Sequence, residues 1–210
     1  KAGKKAGCVT TVPITHATPA GFTVSMKSRN DQSAIADEYL KIGYDVLMGG
    51  GNKFFDASSR KDKKDMYKAF SEKGYNIAKT KSDLKNVDYS KPILGIFDED
   101  SLPYAIDRKN NSELEKKIPT LAEMAQVAIN AMKIHKNGFV LQIESGKVDW
   151  AAHANDVAGL IHGQLELDDA IKVALDFAKQ DGETLVIITT DHGNANPGLI
   201  YGKHANQHFD

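Results

Sequence analysis

Short runs that are apolar on both faces alternate along this chain with longer stretches whose apolar residues recur at helical spacing. The runs are Cys8 to Ile14, Asp45 to Met48, Tyr75 to Ala78, Pro92 to Phe97, Gly138 to Ile143 and Thr184 to Thr189. A strand with no polar face needs cover on both sides, and strands separated by helices lie parallel. The expected fold class is therefore α/β: a three-layer α/β/α sandwich with a mainly parallel sheet. No internal repeat is present, and low complexity is limited to short lysine-rich patches.

The helical stretches carry their own end signals. Ile35, Ala36, Tyr39, Leu40 and Ile42 share one side of a helix with Asp31 near its N-cap and Gly43 closing it. The charged run Arg60 to Asp65 opens a helix through Met66, Ala69 and Phe70. Thr120 caps Leu121, Met124, Val127, Ala128 and Met132, and Glu123 stands where a capping box requires it. A long helix runs through Val157, Leu160, Ile161, Leu167, Ile171, Ala174 and Ala178. Between these, Thr15 to Gly21 reads as turn-prone, and the stretch before Pro92 as helical or irregular. Residues 98–118 read as a polar connection. Gly49-Gly50-Gly51 marks a loop with close backbone approach or positive φ.

Composition narrows the function classes. A chain of 210 residues with 41% hydrophobic content supports one well-buried core, so residues 1–210 read as a single domain. Twenty-seven basic and 28 acidic side chains leave a net charge of -1, which gives no global field for nucleic acid or an anionic membrane. No apolar stretch approaches the roughly 20 residues needed to cross a bilayer, and no export leader is evident, so a soluble domain is expected. Cys8 is the sole cysteine, which excludes an internal disulfide and thiolate zinc clusters. Any metal would be held by His, Asp, Glu or hydroxyl groups. The chain opens at Lys1 without an initiator methionine and enters the Cys8 to Val12 run almost at once, as a piece of a larger protein would.

In parallel sheets, functional groups collect at the carboxyl edge. Glu144 and Asp191 each end a predicted strand. Asp149 and His153, four apart, share one face of a following helix, and Asp191 and His192 can reach one ion together if the chain turns sharply at Gly193. Each pair alone is an ordinary neighbour pair. Together at two strand ends they point to a hydrolytic metal centre.

Four segments in order extend that reading: Thr15 to Phe22, Arg29 eleven residues beyond Thr18, Glu144 to His153, and Thr189 to Gly193. With Asp45 to Gly51 and Pro119 to Met124, they resemble the alkaline phosphatase family over most of the chain. The resemblance implies that Asp149 and His153 are ligands of a first zinc and Asp191 and His192 of a second. It implies a third site, with Glu144 and Thr18, that takes magnesium, a hard ion suited to oxygen. His16 stands where members carry aspartate or histidine, which implies a role through water. Arg29 stands where the family keeps the arginine whose planar fork grips phosphate. Trp150 replaces a lysine or histidine, removing a water-mediated phosphate contact. The implied reaction is phosphate monoester hydrolysis in which a serine is phosphorylated first and the phosphoserine is then hydrolysed. A periplasmic or secreted location is implied in the same way.

The family places its serine nucleophile and a bridging aspartate before the segment that begins at Cys8, and a further zinc histidine after Asp191-His192. Neither acidic nor serine partner is found in Lys1 to Gly7, and His204 and His208 lie in a stretch that resembles no family ligand motif. The expectation is a fragment of a larger catalytic domain with incomplete zinc and magnesium sites and no turnover alone. Exposed apolar sheet surface would favour self-association, with a homodimer among the forms. Two rival readings remain open. Thr190 to Ala195 also resembles the metal-binding segment of cofactor-independent phosphoglycerate mutase, a manganese isomerase, and a non-catalytic metal- or phosphate-binding domain would use the same side chains. A Walker phosphate loop is absent, since Gly146-Lys147 lacks its flanking residues.

Overall fold

The computed structural model describes residues 3–194. Its strands are β1 (Lys5–Pro13), β2 (Val46–Gly50), β3 (Asn76–Ala78), β4 (Ile93–Ile96) and β5 (Phe139–Glu144). They form one sheet in the order β3-β4-β2-β1-β5, and every pairing is parallel. The helices are α1 (Ala17–Thr23), α2 (Gln32–Ile42), α3 (Met66–Glu72), α4 (Ala105–Lys109), α5 (Ser112–Lys117), α6 (Leu121–Met132), α7 (Gly146–His153) and α8 (Val157–Asp181).

The alternation of side chains along each strand divides the core into two layers. Val9, Val46, Met48 and Ile93 face α6, meeting Leu121, Met124, Ala125, Ala128 and Met132. Cys8, Leu47 and Leu94 face the other way, toward Ile35, Ala36 and Tyr39 of α2 and Met66 and Phe70 of α3. The fold is the α/β sandwich expected, and these residues cover part of it.

Local signals account for most helix starts. Asp31 accepts from the Ala34 N–H and Asp65 from the Lys68 N–H, and Gly43 ends α2 in the left-handed region at φ 72°. Thr120 and Glu123 close the capping box at α6. Ile42 ends α2 facing outward, 41% exposed.

Four expectations are corrected. Thr15 to Gly21 is not only a turn: α1 begins at Ala17, with Pro19 in its first turn, where a missing N–H breaks no helical bond. The polar connection holds α4 and α5, the latter capped by Asn111. Val157 and Ile161 are 54% and 42% exposed, because α8 buries Gly159, Gly163, Glu166 and Ala170 instead. Finally, Thr184 to Thr189 forms no strand, and Leu185, Ile187 and Ile188 are 81%, 75% and 61% exposed. An apolar run permits a strand, but the ladder needs a neighbour. Among the described residues β5 pairs with β1 alone, and its Val140 stays 46% exposed.

The glycine run expected as a loop instead ends β2, with Gly49 and Gly50 in the strand, and seats on residues 98–100: the N–H groups of Gly51 and Asn52 donate to the Asp98 carbonyl and that of Lys53 to Glu99. Gly51 holds φ 103°, and a Cβ on Gly50 would stand 2.0 Å from the Asp100 carbonyl oxygen. Gly50→Ala is expected to cost about 2–3 kcal/mol, since the obstacle is backbone. A urea midpoint in Gly50→Ala equal to that of the wild type would refute this seating.

Candidate metal and phosphate centre

β1 and β5 end side by side, Thr10 paired with Glu144, and the chain beyond each strand builds one corner of the carboxyl edge. Thr10 is fully buried, and its hydroxyl donates to Glu144 Oε2 at 2.5 Å. Thr18, on α1, also hydrogen-bonds Glu144. Burial pushes the Glu144 carboxyl up, the two hydroxyls pull it down, and the charges of Asp191 and Asp149 push it up further. Those last two influences place the three carboxylates in one neighbourhood.

α7 carries Asp149 and His153 on one face, with His153 Nε2 3.6 Å from Asp149 Oδ1. The chain after α8 returns to the same oxygen. His192 Nε2 stands 4.0 Å from Asp149 Oδ1 and 3.3 Å from Asp191 Oδ2, and Asn194 Nδ2 donates to Asp149 Oδ1 at 2.6 Å. Two imidazole nitrogens and a carboxamide thus converge on one carboxylate oxygen. Nitrogen and oxygen donors of this kind suit zinc, and the hydroxyl and carboxylate pair at Thr18 and Glu144 suits a harder ion. Among the described residues no three acidic, imidazole or thiol groups stand close enough to enclose an ion.

On the other side of Asp149, the Trp150 ring meets the His16 ring edge-on at 5.6 Å, and Arg29 Nη2 lies 3.5 Å from His16 Nε2. Burial lowers the His16 pKa, Arg29 lowers it further, and Asp149 and Asp100 oppose them. A neutral ring that accepts from Arg29 at Nε2 carries its proton on Nδ1, which is buried without a partner.

The structure therefore brings Glu144, Thr18, Asp149, His153, Asp191 and His192 to one corner, and His16, Trp150 and Arg29 beside it. His204 and His208 lie outside the described residues. Three participants escape a reading of the motifs. Thr10 could have been noticed as a hydroxyl inside an otherwise buried strand. Asn194 had no such signal, because only the return of the chain brings it to Asp149. Lys147 is buried beneath Trp150 and is taken up below.

Comparison with known proteins sets this corner in context. The family model for alkaline phosphatase matches residues 1–205. Alkaline phosphatase 3 of Bacillus subtilis (strain 168) is 41% identical over 197 residues, covering 90% of this chain and 40% of that protein. The crystal structure of Thermus thermophilus alkaline phosphatase superposes with a TM-score of 0.81 at 39% identity, covering 86% of this chain and 37% of that one. A variant of alkaline phosphatase from the Antarctic bacterium TAB5, described with Mg bound in its M3 site, superposes with a TM-score of 0.73 at 29% identity, over 86% of this chain and 49% of that one. The chain spans less than half the length of each of these relatives. With the family match running over residues 1–205 and the backbone superposing on solved members, the chain belongs to the alkaline phosphatase family.

Proposed function

We propose that this chain carries part of the machinery of a metal-dependent phosphate monoester hydrolase. The observation that supports this best is the meeting of His153, His192 and Asn194 at Asp149, beside the half-buried Glu144, from segments some forty residues apart. In this reading Asp149 and His153 hold one zinc, Asp191 and His192 a second, and Glu144 with Thr18 a magnesium ion. Ions bound there supply positive charge that offsets the anionic phosphoryl oxygens and eases formation of an attacking oxyanion. The residues of the chain orient and bind. Thr10 and Thr18 fix the Glu144 carboxylate, and Asn194 fixes that of Asp149. Arg29 grips two phosphate oxygens with its fork, and His16 steadies it through Nε2. In this reading the nucleophile is a serine that forms a phosphoserine. Phosphate monoesters are the substrates in this reading, in a periplasmic or secreted setting. No helix among the described residues is long and apolar enough to cross a membrane.

With two protein ligands for each zinc, the 210-residue chain is expected to bind zinc weakly and to turn over no p-nitrophenyl phosphate in zinc and magnesium. Equilibrium dialysis should show zinc affinity falling roughly tenfold or more in Asp149→Asn. A chain that takes up no zinc, or equal uptake by the variant, would overturn the metal assignment. Metal-dependent turnover that survives purification and disappears in Asp191→Ala would overturn the inactivity.

A further inference from the structure

Beside the metal and phosphate corner sits a buried cation, Lys147, that touches no ion-pair partner among the described residues. Lys147, on the first turn of α7, is 8% exposed, and its backbone N–H donates to Thr11 Oγ1 at 3.0 Å. Its ammonium donates to Ser101 Oγ at 3.1 Å and lies 3.6 Å from the centre of the Tyr104 ring and 4.9 Å from that of Trp150. Asp98, Asp100 and Asp107 act on it only from a distance. Removing an ammonium from water is costly when its partners are one hydroxyl and two aromatic faces. An ordinary surface lysine would gain nothing from such a seat.

The seat has a direction. Trp150 has the Lys147 ammonium over its ring and meets the His16 ring in a T-shaped contact, and His16 in turn meets Arg29. Arg29 sits in an exposed turn with a long, freely rotating side chain, so its aim depends on what holds His16. We propose that Lys147 is a positioning residue for the phosphate grip, fixing Trp150 and through it His16 and the guanidinium of Arg29. This rests on the reading of Arg29 as the phosphate-binding arginine. Ser101 and Tyr104 anchor the ammonium from the loop that follows β4, so the 98–104 loop, α7 and the Arg29 turn form one connected support. The Lys147 ammonium meets Ser101, Tyr104 and Trp150, and its proposed effect on phosphate runs through the Trp150 contact.

Trp150 is the sole tryptophan of the chain, so its emission reads the first link directly. The experiment compares wild type, Lys147→Met, Lys147→Arg and Tyr104→Leu by acrylamide quenching of Trp150 and by the nitrogen-15 signal of the Arg29 Nε–H group. The same proteins are then titrated with inorganic phosphate in the presence of zinc. In Lys147→Met the quenching constant is expected to rise about twofold, and the Arg29 signal to move toward that of free arginine, at unchanged far-UV circular dichroism. Lys147→Arg, which keeps the charge over both rings, should restore both signals. Phosphate affinity should fall about threefold in Lys147→Met but show no further loss in an Arg29→Ala background, the coupling expected of residues in series. Should Lys147→Met fail to fold, Tyr104→Leu loosens the same ammonium and should move the same two signals. Unchanged Trp150 and Arg29 signals in a folded variant, or the same phosphate loss without Arg29, would overturn the inference alone. A wild-type chain that binds no phosphate would overturn the phosphate grip itself, and this inference with it.

Discussion

Glu166→Ala is expected to remove about 3–5 kcal/mol of stability, the cost of stranding one partner of a buried ion pair. Glu166 Oε1 accepts from Arg108 Nη2 at 2.7 Å and from the Leu121 N–H at 3.0 Å. Both side chains are less than a tenth exposed. The bond to Leu121 is what makes the site expensive, since the first N–H groups of a helix have no partner within it. One carboxylate thus ties α4, α6 and α8 together, and α6 presents Leu121, Met124, Ala128 and Met132 to the sheet. Alanine would leave a buried guanidinium whose Nη1 already lacks a partner, together with an orphaned backbone donor. The double variant Arg108→Met with Glu166→Leu removes both charges and leaves only the Leu121 N–H unpaired. It should cost about 1–3 kcal/mol, less than Glu166→Ala alone. Urea unfolding followed by circular dichroism decides. If the double variant loses as much as the single one, the pair contributes through packing and not through charge.

That ion pair also marks where sequence reading stops. Arg108 and Glu166 lie in segments that read, separately, as a polar connection and a polar position on a helix, and nothing local joins residues 58 apart. What could be read was what is set locally. Asp31, Asp65 and the Thr120–Glu123 box start their helices because a side chain satisfies an N–H three residues on. The two-sided apolar runs became β1, β2 and β4, whose alternate residues enter opposite core layers. The same criterion failed at Thr184 to Thr189, where strand character depends on a neighbour and on cover that the run itself cannot encode. It also missed the start of β1, where Lys5 to Gly7 are strand through pairing with Phe139 to Leu141 rather than through propensity.

The candidate centre divides along the same line. The four-residue step from Asp149 to His153 is helical arithmetic, and α7 realises it. The approach of His192 and Asn194 to Asp149 depends on α8 carrying the chain back, and Thr10 reaches Glu144 across a strand pairing 134 residues apart in sequence. Lys147 illustrates the reverse case: an unremarkable lysine in sequence becomes informative only when its ammonium is found over two rings.

Arg60→Met is the second substitution expected to be severe, at roughly 3 kcal/mol or more, because it takes the shared donor from two backbone carbonyls and two carboxylates at once. The Arg60 side chain is 1% exposed. Nε and Nη2 form a fork on Asp62 at 2.8 and 2.6 Å, Nη2 also reaches Asp37 at 3.1 Å, and Nη1 donates to the carbonyls of Ser33 and Phe54. The residue therefore joins α2, the turn after β2 and the loop before α3. Both carboxylates are more than a third exposed, so water competes for their charge and the ionic share of the cost is small. The larger share lies in the two carbonyls and in the planar fork that reaches them while holding Asp62. Lysine keeps the charge but cannot make that geometry, so Arg60→Lys should recover little of what Arg60→Met loses. Asp62→Asn keeps one accepting oxygen but sets an amide donor against the other guanidinium N–H, so it loses one arm of the fork and should cost about 1 kcal/mol, less than Arg60→Met. The balance between geometry and charge is tested by repeating the unfolding in about 1 M salt, where the screening length is about 3 Å. A difference between wild type and Arg60→Met that persists there places the stabilisation in the hydrogen-bonded fork, and a difference that vanishes there would assign it to the ion pairs.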